Sequence, residues 1–200
     1  MRLNSFAWML AAGIAVSSIG FASESSQETT LAAQIAAQIV VESDLRAAAR
    51  PLDLINWKVG DTMSYNVLLR GQNLGTSVKS VTSDEGTAIW IKQAVKMLFQ
   101  NEVVDVLISK ADGKILKMKH NGQDMEVPSS DLTIISQDYQ RVTVPAGTFD
   151  SVHIVAKTKD VEKLEVWANP KETSMDGTLK QNMTMQLGEV SMVLTSFKRN

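Results

Sequence analysis

The chain has no cysteine. No disulfide can staple it, no thiolate can hold a metal, and lipid attachment through a leader cysteine is excluded. Its stability must therefore come from packing. Histidine is nearly as scarce, with only His120 and His153, whereas a zinc site needs three or four converging ligands. Basic clusters are missing as well: 20 Lys and Arg stand against 22 Asp and Glu, a net charge of −2. That balance gives nucleic acid no electrostatic footprint. Neither a Walker nor a dinucleotide-binding glycine pattern occurs, and there is no Gly-x-Ser-x-Gly elbow. After residue 22 no long apolar run follows, so no second membrane-length segment is expected.

What is present suits a folded protein. The 200 residues, 44% hydrophobic and 21% charged, fit one domain with or without an appendage and argue against disorder. Residues 1–22 read as a secretory leader: Arg2 gives the positive start and Phe6–Ile19 the short apolar stretch. Gly20 and Ala22 place small residues for cleavage after Ala22. The competing reading, a retained anchor, needs roughly 20 apolar residues. Removing Arg2 with the leader leaves 19 basic against 22 acidic residues, a net charge of −3. A periplasmic or secreted protein without a transmembrane segment is expected.

Residues 23–50 form a polar segment and then an amphipathic helix. Ser23–Thr30 is polar, and Leu31, Ile35, Ile39 and Val40 recur at helical spacing behind a Thr29 or Thr30 cap. Pro51 ends that helix, read as 28–49, because the residue before proline avoids helical geometry. Whether it docks on the rest of the chain is open at this stage.

From 51 to 200 the period becomes two. Met63, Tyr65, Val67 and Leu69 alternate with polar neighbours, as do Ile89, Ile91 and Gln93. Leu179, Met183, Met185 and Leu187 do the same, and so do Val190, Met192 and Leu194. Alternation with one apolar face marks antiparallel strands. Asp84-Glu85-Gly86, Asp112-Gly113, Asn121-Gly122 and Asp160-Val161-Glu162 punctuate the runs as tight turns, and Gly71–Gly75 as a looser connection. A bend is expected within Leu98–Val104, and Ser129–Asp138 shows no clear period. The fold class is mainly β: a curved antiparallel meander of eight to ten strands, an open barrel or half-barrel, with one N-terminal helix.

No catalytic residue, cofactor or metal site is predicted. His153 shares the polar face of its strand with Ser151 and Lys157, opposite Val152, Ile154 and Ala156, and His120 ends a Lys-rich strand before a turn. The methionines, ten in all, read three ways: core packing, lining for an apolar ligand, or thioether sites for cuprous copper.

Arg141–Asp150 (RVTVPAGTFD) reads as strand, Pro-Ala-Gly turn and re-entry into strand, followed by Leu164–Pro170 with its Trp167-x-x-Pro170 spacing. This succession, with Trp57–Asp61 at the entry, resembles a family of exported bacterial domains of unknown function that repeat a Val-Pro-Ala-Gly-Thr-Phe segment. The resemblance spans about residues 55–200. It implies a strongly curved antiparallel sheet similar to the half-barrels of periplasmic lipoprotein carriers, and it brings no catalytic residues. By its residues alone, Val144–Phe149 reads as a structural corner, with a binding loop as the alternative: Pro145 fixes φ and lacks an N–H, and Gly147 permits positive φ.

Two functions follow as expectations. The first is an exported, non-enzymatic binding or carrier module for a hydrophobic or lipid-like ligand, lined by Tyr65, Val67, Ile89, Ile91, Met183, Met185, Leu187 and Met192. The second is a structural or assembly factor of the cell envelope that contacts another protein through a strand edge or the 28–49 helix.

Overall fold

A computed structural model describes residues 57–97, 101–127, 132–158, 161–185 and 188–200. The expected leader and the helix at 28–49 lie outside the described residues. Eleven strands follow in chain order: β1 (Thr62–Leu69), β2 (Gln72–Asp84), β3 (Ala88–Met97), β4 (Asn101–Ser109), β5 (Ile115–His120), β6 (Gln123–Met125), β7 (Thr133–Val144), β8 (Gly147–Lys157), β9 (Lys163–Ala168), β10 (Thr178–Met185) and β11 (Gly188–Lys198). One antiparallel sheet contains them all, so the count exceeds the eight to ten read from the sequence. No described helix is long and apolar enough to cross a membrane.

The order is β6-β5-β4-β3-β2-β1-β11-β10-β9-β8-β7. Two up-and-down meanders, β1–β6 and β7–β11, therefore join where the first strand pairs with the last, from Thr62↔Lys198 to Leu69↔Val190. The sheet stays open, with β6 and β7 as its edges. Connectivity dictates how far it must curl. Ten strand spacings in a flat sheet would set the edges about 48 Å apart. Yet β6 ends at Met125 and β7 begins at Thr133, and eight peptide units reach at most about 29 Å. Only a strongly curved sheet satisfies both. The β7–β8 hairpin adds to the closure: the Ala146 N–H donates to the Leu194 carbonyl at 3.1 Å, and Phe149 meets Phe197 edge to face at 6.4 Å.

Turn chemistry sets the hairpins. Asn121-Gly122 both take positive φ, 49° and 82°, as a two-residue turn matching strand twist requires. The β1–β2 connection is tighter than the looser Gly71–Gly75 reading. Arg70 and Gly71 alone make it, at φ 50° and 81°, and β2 has begun by Gln72. Gly75 is a glycine for a different reason, since a Cβ there would lie 2.0 Å from the Lys96 carbonyl oxygen. The segment without a period, Ser129–Asp138, runs from Thr133 onward as β7. Both its faces are exposed, so no alternation was selected.

The alternating residues fill the interior. Met63, Tyr65, Val67, Ile89, Ile91, Leu179, Met192 and Leu194, each at most 3% exposed, belong to one large cluster. Ile154, Ala156, Leu164, Val166 and Met183 form a smaller one. Register places Gln181 between Met192 of the first and Val166 of the second.

Candidate functional site

Of the eight residues expected to line an apolar site, five lie together: Tyr65, Val67, Ile89, Ile91 and Met192 belong to the large cluster. Met183 belongs to the small one. Met185 ends β10, and Leu187 lies outside the described residues. The six with described side chains are all buried.

Three further arrangements stand out, of which the expectations drawn from the sequence included only the last, a strand edge, without saying which strand. The first is a polar strip set into the apolar interior of β2 and β3. Ser77, Lys79 and Gln93 are at most 1% exposed. Lys79 sits opposite Met63 of β1 and Gln93 of β3, and the Gln93 Nε2 donates to Ser77 Oγ at 3.0 Å. The partner for the Lys79 ammonium comes from the β9–β10 connection, a strap from Asn169 to Gly177. Lys79 Nζ lies 2.8 Å from Asp176 Oδ2, with side chains 1% and 3% exposed. The other oxygen of Asp176 accepts from the Thr178 N–H at 3.2 Å. Tyr65, whose ring centroid is 5.9 Å from Lys79 Nζ, donates its hydroxyl to the Thr178 carbonyl at 3.1 Å. Thr173, Ser174 and Met175 of the strap are buried. Arg199 holds the strap's far end, donating to the carbonyls of Pro170 and Lys171 at 2.6 and 3.2 Å. One sequence signal pointed here: Val78 and Val81 are three apart and cannot share a strand face, so one apolar residue of β2 had to lie outside. Val78 does, leaving Lys79 inside.

The second arrangement is a row across β7 to β10. Register aligns Asp138, His153, Trp167 and Lys180 on successive strands. The His153 ring stacks on Trp167 at 4.4 Å and 18°. Its Nδ1 is 3.0 Å from Asp138 and its Nε2 3.6 Å from Glu165. Trp167 Nε1 donates to Gln140 at 2.8 Å, and Lys180 Nζ lies 5.0 Å from its ring centroid. The expectation that His153 sits on a solvated face is corrected: it is buried because the Trp167 ring covers it. His120 remains partly exposed and pairs with Glu102, whose carboxylate also accepts from Asn121 at 2.8 Å. Among the described residues no three His, Cys or carboxylate groups are placed to hold a metal ion.

The third is the β7 edge. Every residue from Thr133 to Arg141 is exposed, including Ile134 at 42%, Ile135 at 56% and Tyr139 at 83%. A register shift marks Ile135 as a bulge, while Ser136–Val144 runs regularly against β8. No described strand pairs with its outer side.

No protein-family model matches the chain, and no curated protein matches it. Solved structures do resemble it. A protein of Bacteroides fragilis described as exported, with a YmcC-like fold, aligns at TM-score 0.44 and 11% identity over 73% of this chain and 99% of its own. The hypothetical protein CT021 of Chlamydia trachomatis aligns at TM-score 0.48 and 10% identity over 72% and 89%. MucB, solved in complex with MucA(peri), aligns at TM-score 0.40 and 12% identity over 80% of this chain and 54% of its own.

Proposed function

We propose that this chain is an exported, non-enzymatic module of the cell envelope that binds another protein by adding an extended segment of it to β7. The observation that carries the reading is the exposed β7 edge, with Tyr139 and two isoleucines in solvent. Regular strands present unpaired backbone donors and acceptors on an open edge, and a partner strand can complete that ladder. Natural sheets usually guard such edges with short strands, bulges or charge. The opposite edge follows that rule, since β6 has three residues. β7 has twelve, its bulge lies at one end, and its middle is guarded only by Asp138 and Arg141. The leader-like residues 1–22 support export, and a net charge of −2 without basic clusters offers nucleic acid no electrostatic footprint.

A photo-crosslinking amino acid placed at Tyr139 tests this in the exporting cell. It is expected to give a discrete protein adduct, whereas the same group at Leu116, exposed at 53% on β5, gives none. The Ile135→Lys/Tyr139→Lys variant should remain folded, because exposed substitutions usually shift stability by about 0.5 kcal/mol or less. It should lose an adduct formed from a crosslinker at Gln137. Adducts of equal yield from both surfaces, or one that survives the lysines, would sink the reading.

A further inference from the structure

We infer that Lys79 anchors a second site, one for an anionic amphiphile with a single carboxylate head on an apolar chain. The inference is independent of the β7 edge. A buried lysine set opposite Met63 and beside Tyr65 needs a counter-charge, and one stands on the strap. The strap brings two adjacent residues of different character. Asp176 presents a carboxylate to Lys79 Nζ at 2.8 Å, and Met175, 3% exposed, enters the apolar cluster beside it. Met175-Asp176 is thus a tethered surrogate: a carboxylate joined to a flexible apolar arm.

The closed strap is held at a local disadvantage. Met175 takes φ 52°, a left-handed conformation that residues with a Cβ rarely adopt. The Ser174 hydroxyl is buried at 0% exposure and has no hydrogen-bond partner among the described residues. Buried polar groups are ordinarily paired, and this hydroxyl would gain water once the strap lifts. A free amphiphile placing its carboxylate on Lys79 and its chain in the space of Met175 keeps the counter-charge and the apolar contact while releasing that strain. A bare anion replaces only half of what the strap supplies, so the tail is part of the recognition.

Hydrogen exchange of the processed protein, read by mass spectrometry, tests the site. Sodium laurate below its micelle concentration is expected to speed exchange of the amides of residues 172–177 by about tenfold or more, as local opening does. Acetate and inorganic phosphate at the same concentration should leave them unchanged. The Lys79→Met/Asp176→Leu variant replaces the ion pair with apolar groups of similar size, a change that buried pairs often tolerate. With its β circular dichroism retained, it should show no response to laurate. Unchanged strap exchange in the wild-type protein with laurate overturns the site. An equal response to acetate overturns the amphiphile class, and an equal response in the double variant overturns Lys79 as the anchor.

Discussion

Lys79 and Asp176 make opposite contributions depending on whether one or both are replaced. Removing one partner leaves the other charge in the interior, which costs about 3–5 kcal/mol, whereas replacing both with apolar groups is often neutral. Lys79→Met is therefore expected to lower the urea midpoint sharply, and adding Asp176→Leu to restore it. Equal midpoints for the single variant and the wild type would mean that the pair is hydrated in solution. Gly177 offers a second residue-level measurement. Its φ is 71° and a Cβ would meet Pro170 N at 2.2 Å, so Gly177→Ala adds left-handed strain of roughly 1–2 kcal/mol to overpacking of roughly 1–3 kcal/mol. Asp84 gives the pH dependence. Its carboxylate accepts from the Lys110 ammonium at 2.6 Å and the Gly86 N–H at 2.8 Å, which holds its pKa below the ordinary aspartate value, the Lys110 hydrogen bond first. A depressed folded pKa gives stability that is present above the unfolded value and lost as pH falls through the folded one. The stability difference between wild type and Asp84→Asn should accordingly be complete at neutral pH and vanish in acid. A difference that grows on acidification reverses the assignment.

At the scale of the element, legibility followed burial. β1, β3 and β11 each press one face on the core, so Met63-Tyr65-Val67, Ile89-Ile91 and Val190-Met192-Leu194 carried a clear period of two. β7 is exposed on both faces from Thr133 to Arg141 and reaches the core only at Val142 and Val144, so it carried no clear period, and its length came as a finding. The strap was silent for another reason. Residues 169–177 have no repeating geometry to impose a pattern, and the partner of Asp176, Lys79, stands 97 positions away in the chain. His153 was misjudged because alternation distinguishes two faces but cannot show that a Trp on the next strand covers the polar one. Edge position also has a dynamic consequence. Amides in regions with few buried contacts open at low free energy, and those in the core open only near global unfolding. Amides of β7 should therefore exchange far faster than those of β1 and β11. Equal protection in the purified protein would show the β7 edge already covered, and would remove the surface on which partner binding depends.

For the molecule as a whole, the curved β fold was legible from hairpin turns and one-sided strands, but the central seam was not. Nothing local in Thr62–Leu69 or Gly188–Lys198 says that they pair, because that contact joins residues some 136 positions apart, as in Thr62↔Lys198. The seam is what makes two meanders one domain. Long-range pairing of this kind bears the loop-closure entropy before the contacts that reward it, and such topologies fold in roughly milliseconds to seconds. It also makes the link between Val127 and Leu132 dispensable once the sheet exists. The β1–β11 ladder, the Lys79–Asp176 pair and the Tyr65–Thr178 hydrogen bond all cross from one meander to the other without it. A chain carrying a protease site in that link should, after cleavage, remain one folded particle and keep its β circular dichroism. Its urea midpoint should fall and become dependent on protein concentration, since folding is then coupled to association. Diluting the two unfolded pieces together out of urea should restore the particle. Pieces that separate without denaturant at micromolar concentration would mean that the β1–β11 seam is too weak to hold the meanders, and that the six-to-seven edge connection, rather than the central pairing, keeps the sheet whole.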